Sequence, residues 1–130
     1  MAKLIHSMIR VRDEGRSLDF YRRAFGLEVV DRIEFDTFRL LYLAGPEGPF
    51  ELEITVNADR EAPYDLGDGY GHLAVSVDDL DAEHRRMGDE GLAPDPLKTL
   101  ERGPFSARYF FLTDPDGYRI EVLQRGGRFQ

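Results

Sequence analysis

Cysteine is absent from this 130-residue chain. No disulfide can form, and any metal site must be built from imidazole and carboxylate rather than thiolate. The absence fits a reducing compartment. No apolar run is long enough to cross a bilayer, and Met1-Ala2-Lys3-Leu4 passes straight into a strand-like segment rather than a signal peptide. The expected location is the cytoplasm, with no membrane partner. Positive charge is also scarce. Lys and Arg number 17 against 25 Asp and Glu, a formal net charge of −8. That balance disfavours a nucleic-acid partner, and it works against anionic small molecules unless cations are placed locally.

What is present is a foldable core. Apolar content of 42% and aromatic content of 12% argue against disorder. The length suits one domain, or two small modules sharing one. The two halves resemble each other. His6-Ser7-Met8-Ile9-Arg10-Val11 lines up with His72-Leu73-Ala74-Val75-Ser76-Val77, Asp13 with Asp79, and Gly26-Leu27 with Gly91-Leu92. Each half reads as strand, helix and three further strands. The expected organisation is α+β: two tandem βαβββ modules forming a curved sheet around a metal cavity. Module 1 (1–57) and module 2 (70–125), joined by linker 58–69, make one domain over 1–130.

The spacing of Leu18, Tyr21, Ala24 and Phe25 predicts a helix over 14–25, stopped by a left-handed Gly26. A second helix is predicted over 80–90, with Asp79, Asp81 and Glu83 early and Arg85 and Arg86 late, as the helix dipole favours. Its apolar stripe is thin, and His84 within it is expected to face solvent. Strands are predicted at 29–33, 38–43, 50–56, 94–97, 108–113 and 118–123. Gly45 to Pro49 reads as a turn, without the ending of a phosphate loop. Asp114-Pro115-Asp116-Gly117 reads as a hairpin turn, too short for a calcium loop. The tail from Arg125 to Gln130 is expected to be loose.

Strand alternation puts His6, Met8 and Arg10 on one face and Ile5, Ser7, Ile9 and Val11 on the other. Glu51, Glu53, Thr55 and Asn57 lie opposite Leu52, Ile54 and Val56. His72, Ala74 and Ser76 lie opposite Leu73, Val75 and Val77, and Arg119, Glu121 and Leu123 opposite Ile120 and Val122. So His6, Glu53, His72 and Glu121 all fall on faces opposite the helix-covered ones. Imidazole plus carboxylate, given twice at spacings of 47 and 49 positions, is a ligand set for a divalent transition metal. A lone His or Glu on a strand is usually only solvated; the repetition is what points to a metal.

These stretches, together with Ser17-Leu18-Asp19-Phe20-Tyr21, Glu53-Ile54-Thr55-Val56-Asn57, Tyr70-Gly71-His72 and Asp114 to Glu121, resemble the vicinal oxygen chelate superfamily. Within it, the chain is similar to the short bacterial glyoxalase I (lactoylglutathione lyase) family. The resemblance implies His6, Glu53, His72 and Glu121 as ligands of one divalent metal per site, nickel or cobalt ahead of zinc. It implies a homodimer with each site at the subunit interface, taking His6 and Glu53 from one subunit and His72 and Glu121 from the other. It implies glutathione as cosubstrate, contacted by Arg10, Thr55 and Asn57. The reaction implied is isomerisation of the hemithioacetal of methylglyoxal and glutathione to S-D-lactoylglutathione, a detoxification step. Glu121 would be the catalytic base, with Glu53 on the opposite side.

Three features depart from the family pattern. Ala58-Asp59 replaces Trp-Gly after Asn57. Asp68 stands where some relatives carry an arginine. Arg102-Gly103-Pro104-Phe105 replaces a Lys-Gly loop. Lys98, Arg102 or Arg108 would have to supply the missing cation. Other superfamily chemistries are the alternatives: epimerase, dioxygenase, fosfomycin-type thiol transferase, or metal-free drug binding of the bleomycin-resistance kind. A fourth ligand at Glu53 counts against the two-His, one-Glu iron dioxygenases. Four intact ligands count against the drug-binding proteins, although those share the acidity seen here.

Overall fold

The structure, a computed structural model, describes residues 1–130. The chain forms two compact units, Met1–Asp65 and Leu66–Gln130. The boundary lies inside the 58–69 segment. In the first unit come β1 (His6–Val11), α1 (Glu14–Phe25), β2 (Glu28–Glu34), β3 (Phe38–Ala44) and β4 (Glu51–Asn57). In the second come β5 (Leu73–Val77), α2 (Leu80–Asp89), β6 (Lys98–Arg102), β7 (Phe105–Thr113) and β8 (Arg119–Gln124). The strands make two four-stranded sheets of the same order, β1-β4-β3-β2 and β5-β8-β7-β6. Neither sheet is closed. The first and last strands of each unit pair in parallel and the rest antiparallel.

Local chemistry explains both helices. The Asp13 carboxylate accepts from the Arg16 amide at 3.0 Å, and the Asp79 carboxylate accepts from the Ala82 amide, also at 3.0 Å. Each satisfies an amide that the first helical turn leaves without a partner. Gly26 takes φ 68° directly after α1, and Gly91 takes φ 76° after α2, conformations that favour glycine. The following leucines then fold back in parallel: the Leu27 amide donates to the Tyr21 carbonyl, and the Leu92 amide to the Met87 carbonyl. Each unit also ties an arginine on the helix-facing side of its third strand to an acid in the first helical turn. Arg39 Nε donates to Glu14 Oε1 at 2.6 Å, and Arg108 donates to both Asp81 oxygens at 3.0 Å.

The core of the first unit joins Ile9, Val11, Phe20, Tyr21, Leu41, Leu43 and Ile54; that of the second joins Leu80, Met87, Phe110, Leu112, Ile120 and Val122. Each such side chain contributes about 1.5–3 kcal/mol by leaving water. The thin stripe of α2 is completed by His84, which the sequence assigns to solvent. It lies four residues after Leu80 and three before Met87, so it shares their face. Its ring stands edge-on to Phe110 at 4.9 Å, and Nε2 lies 2.8 Å from the Asp95 carbonyl.

Three other expectations are corrected. The strand predicted at 94–97 is instead Lys98–Arg102, because Pro94 and Pro96 interrupt the ladder that the next five residues form with β7. β7 begins at Phe105, since Gly103-Pro104 is a two-residue hairpin turn with Gly103 at φ 56°. The tail is ordered: Gly126 bridges Phe129, the Arg125 amide donates to the Val77 carbonyl at 2.8 Å, and Phe129 meets Phe105. Leu123 keeps its face opposite Ile120 and Val122 and is buried there, because β8 is an interior strand and Ser76 and Tyr109 flank it on that face.

Candidate active site

Parallel pairing sets the geometry of both His/Glu pairs. On β1 and β4, His6 lies opposite Glu51 and Met8 opposite Glu53. His6 therefore reaches one pleat along the neighbouring strand to Glu53, with Nε2 2.8 Å from Oε2. On β5 and β8, Ala74 lies opposite Glu121, and His72, just before β5, makes the same diagonal reach at 2.6 Å. A carboxylate only accepts, so the imidazole donates in both contacts. The lone pairs that share this proton are those a divalent ion would take, and imidazole with carboxylate suits zinc, nickel or cobalt. The donor set fits a borderline divalent ion. Both carboxylates are largely covered, Glu53 12% exposed and Glu121 18%, while the imidazoles are 35% and 41% exposed. The carboxylates are the more covered member of each pair, and the imidazoles stay open to a ligand.

Aromatic rings back each pair. Tyr42 lies opposite Glu53 and Phe111 opposite Glu121. Tyr42 stands edge-on to His6 at 6.0 Å and Phe111 edge-on to His72 at 5.3 Å. The Tyr42 hydroxyl donates to Glu53 Oε1 at 3.2 Å. Partial burial, then the Glu53 charge, pushes the Tyr42 phenol above its ordinary value, so it stays protonated and donates. Neither aromatic residue is singled out by the sequence. Aligning the third strands of the repeat beside the two glutamates would have found them, once the register was known.

The turn before β8 sets where the strand that carries Glu121 begins. Asp114 is 4% exposed, and its Oδ1 accepts from the amides of Asp116 and Tyr118 at 2.9 Å each. Gly117, at φ 96°, closes the turn. Tyr118 packs edge-on to Tyr70, two residues before His72, so the two ends of the pair are braced by one contact. Arg119 lies beside Glu121 over the Phe111 ring, bonded to Thr113 and paired with Asp95 at 2.5 Å.

Arg10 and Thr55 are cross-strand partners on the face that carries Glu53, with Asn57 two residues on. Thr55 is buried, and the Asn57 amide donates to the Tyr64 hydroxyl at 3.0 Å. Arg60 closes the loop after Asn57, lying 4.2 Å over the Tyr64 ring and donating to the carbonyls of Ala62 and Pro63. Of the three candidate cations, Lys98 and Arg102 pair with Tyr109 and Phe105 and so share the face of Phe111 and Glu121. Arg108 is excluded: it lies on the opposite face, held by Asp81 of α2.

The sequence profile of the Glyoxalase/Bleomycin resistance protein/Dioxygenase superfamily matches residues 3–122. The chain belongs to this superfamily. Among superfamily members, it is 37% identical over 130 residues to the lactoylglutathione lyase of Neisseria meningitidis serogroup A, covering 95% of this chain and 91% of that one. It is 36% identical over 145 residues to the lactoylglutathione lyase of Pseudomonas aeruginosa, covering 92% and 80%. Its structure matches a glyoxalase I variant from Zea mays with a TM-score of 0.84 at 27% identity, covering 96% of this chain. The chain spans about half the length of that maize protein, 45%. It also matches the glyoxalase I of Leishmania major, described as trypanothione-dependent, with a TM-score of 0.76 at 31% identity, covering 95% and 87%. No helix is long and apolar enough to cross a membrane.

Proposed function

We propose that this chain is a glyoxalase I, a lactoylglutathione lyase that isomerises the hemithioacetal of methylglyoxal and glutathione to S-D-lactoylglutathione. The observation that carries the reading is the His/Glu pair built twice, by the same diagonal reach across a parallel strand pair. The relatives named as lactoylglutathione lyases support it over nearly the whole chain.

His6, Glu53, His72 and Glu121 would hold one divalent ion, with nickel or cobalt preferred over zinc. Each half supplies two donors. In a homodimer, each site would take His6 and Glu53 from one subunit and His72 and Glu121 from the other. When bound, the ion supplies Lewis-acid stabilisation of the negative charge that develops on the substrate oxygens. Glu121 removes the proton from the carbon bearing sulfur and returns one to the neighbouring carbonyl carbon. The hydroxyl carbon becomes the thioester and its neighbour the alcohol, so the reaction is redox-neutral. Glu53, on the opposite side as the resemblance implies, would keep its place. The imidazoles of His6 and His72 would hold the ion.

Arg10, Thr55 and Asn57 would contact the glutathione part. Lys98 and Arg102, on the Glu121 face, are the cations available for its carboxylates, in place of the arginine that Asp68 replaces. A reducing cytoplasm would keep the thiol cosubstrate in its reactive form.

The test uses full-length protein stripped of metal and reloaded separately with nickel, cobalt or zinc. Methylglyoxal and glutathione are supplied, and thioester formation is followed by ultraviolet absorbance. Metal-dependent turnover is expected. A bound ion without turnover would sink the substrate assignment while leaving the ligands in place. Turnover of the metal-free protein would sink the ligand assignment.

A further inference from the structure

The two candidate carboxylates differ in what stands opposite them. Tyr42 on β3 is the cross-strand partner of Glu53, and Phe111 on β7 is the cross-strand partner of Glu121. Both rings meet the histidine of their own half edge-on, at interplanar angles of 74° and 86°. The two environments match in backbone register and ring placement, and the residue directly opposite each glutamate differs by one oxygen atom, the Tyr42 hydroxyl. That oxygen donates to Glu53 Oε1 at 3.2 Å while Oε2 of the same carboxylate faces His6 at 2.8 Å. Both oxygens of Glu53 are held, from two different strands. Phe111 has nothing to donate, and Glu121 meets His72 through Oε2.

We infer that Tyr42 is a positioning residue that fixes Glu53 as the stationary carboxylate of the site, and that Phe111, lacking the hydroxyl, leaves Glu121 able to move between ligation and proton transfer. The inference rests on the metal-ligand reading above and adds a reason for the two glutamates to play different parts. A carboxylate held at one oxygen presents the other in a fixed orientation and has less rotamer freedom left to lose when it takes a ligand. The hydroxyl is neutral, so it steadies Glu53 without cancelling its charge. An arginine in its place would compete with a cation for the carboxylate. A base that must leave one partner and reach a substrate carbon needs the opposite surroundings, a covered site with no second donor. Phe111 stands opposite Glu121 with no hydroxyl to donate, and the Arg119 guanidinium on the same face is held by Thr113 and Asp95.

The experiment exchanges the two ring types. Y42F removes the hydroxyl and keeps the ring; F111Y adds a hydroxyl at the register position from which Tyr42 reaches Glu53. Metal affinity is measured by competition with a chromogenic chelator for nickel or cobalt, and kcat and KM are measured at saturating metal. Y42F is expected to bind metal about tenfold or more weakly than the parent protein, with the loss mainly in affinity rather than in kcat. F111Y is expected to keep or tighten metal binding and to lower kcat about tenfold or more with KM unchanged. A general structural defect would not produce these opposite patterns. Unchanged metal affinity in Y42F overturns the inference and leaves the ligand assignment intact. Should Y42F fail to fold, F111Y decides, and an unchanged kcat overturns the inference. A parent protein that binds neither ion overturns the ligand assignment and this inference together.

Discussion

The first half of the chain surrounds its His/Glu pair with more polar partners than the second. Glu53 has the Tyr42 hydroxyl at one oxygen, and an acid, Glu51, stands opposite His6. Glu121 has a phenyl ring opposite it and an arginine, Arg119, as its neighbour on the same face of β8, held by Asp95 and Thr113. The backbone devices are shared: parallel first and last strands, a diagonal reach, an aspartate-capped helix, a left-handed glycine after it. The difference teaches that duplication supplied the geometry of the pairs, and side chains one strand away set what each pair can do.

The sharpest way to break this comparison is to neutralise the two glutamates separately. E121Q is expected to keep most metal affinity and to lose about 10²–10⁴-fold in turnover, the usual worth of a positioned base. E53Q is expected to lose metal affinity first. Chelator competition and steady-state rates measured on both variants would exchange the roles if the patterns came out reversed.

A second comparison concerns how each Glu-bearing strand is entered. β8 begins after a turn whose buried Asp114 accepts two amides, whereas the Glu51 amide at the start of β4 is satisfied by the carbonyl of Ile5, the residue before β1. D114A should leave two amides without their acceptor and cost about 1–3 kcal/mol, read as a lowered denaturation midpoint. A midpoint equal to the parent's would show that these two bonds do not stabilise the turn into β8.

The smallest expected effects separate the two helix-to-strand ion pairs. Glu14 is 22% exposed and takes three bonds from Arg32 and Arg39, of 3.0, 3.1 and 2.6 Å. The Arg32 hydrogen bond holds its carboxyl below the ordinary 4.5, with Arg39 adding to it. A depressed folded-state value means that the stabilisation is complete above the ordinary carboxylate range and is lost as pH falls through the lowered value. E14Q should cost about 1 kcal/mol near neutral pH, and the difference from the parent should shrink in acid. Asp81 is likewise lowered by its Arg108 hydrogen bond, but it is open to solvent. D81N should leave the melting temperature unchanged at moderate salt, because water and ions screen the pair.

How much of this was legible beforehand follows from what each residue reports locally. The α1 bounds could be read from capping and spacing, because Asp13, the apolar stripe and Gly26 act within one turn of chain. The face assignments of His6, Glu53, His72 and Glu121 followed from a period of two in strands whose other face is apolar. β6 was misplaced because all five of its residues are exposed and carry no alternation. Its only local signature is the Gly103-Pro104 turn beyond it. The inward face of His84 was missed because its partners, Phe110 and Asp95, come from elsewhere in the unit. Arg108 looked like an available cation until the register put it under α2.

The sequence by itself determined the repeat, the helices and the four candidate ligands, since these depend on neighbours a few positions apart and on a doubled pattern. Only the tertiary structure decided which strand lies beside which, and hence that His6 reaches Glu53 by a diagonal contact, that Tyr42 stands against one glutamate and Phe111 against the other, and that Arg108 is spent on Asp81. The physical reason is that strand order and register are fixed by hydrogen bonds and packing between segments tens of residues apart, which no local pattern encodes.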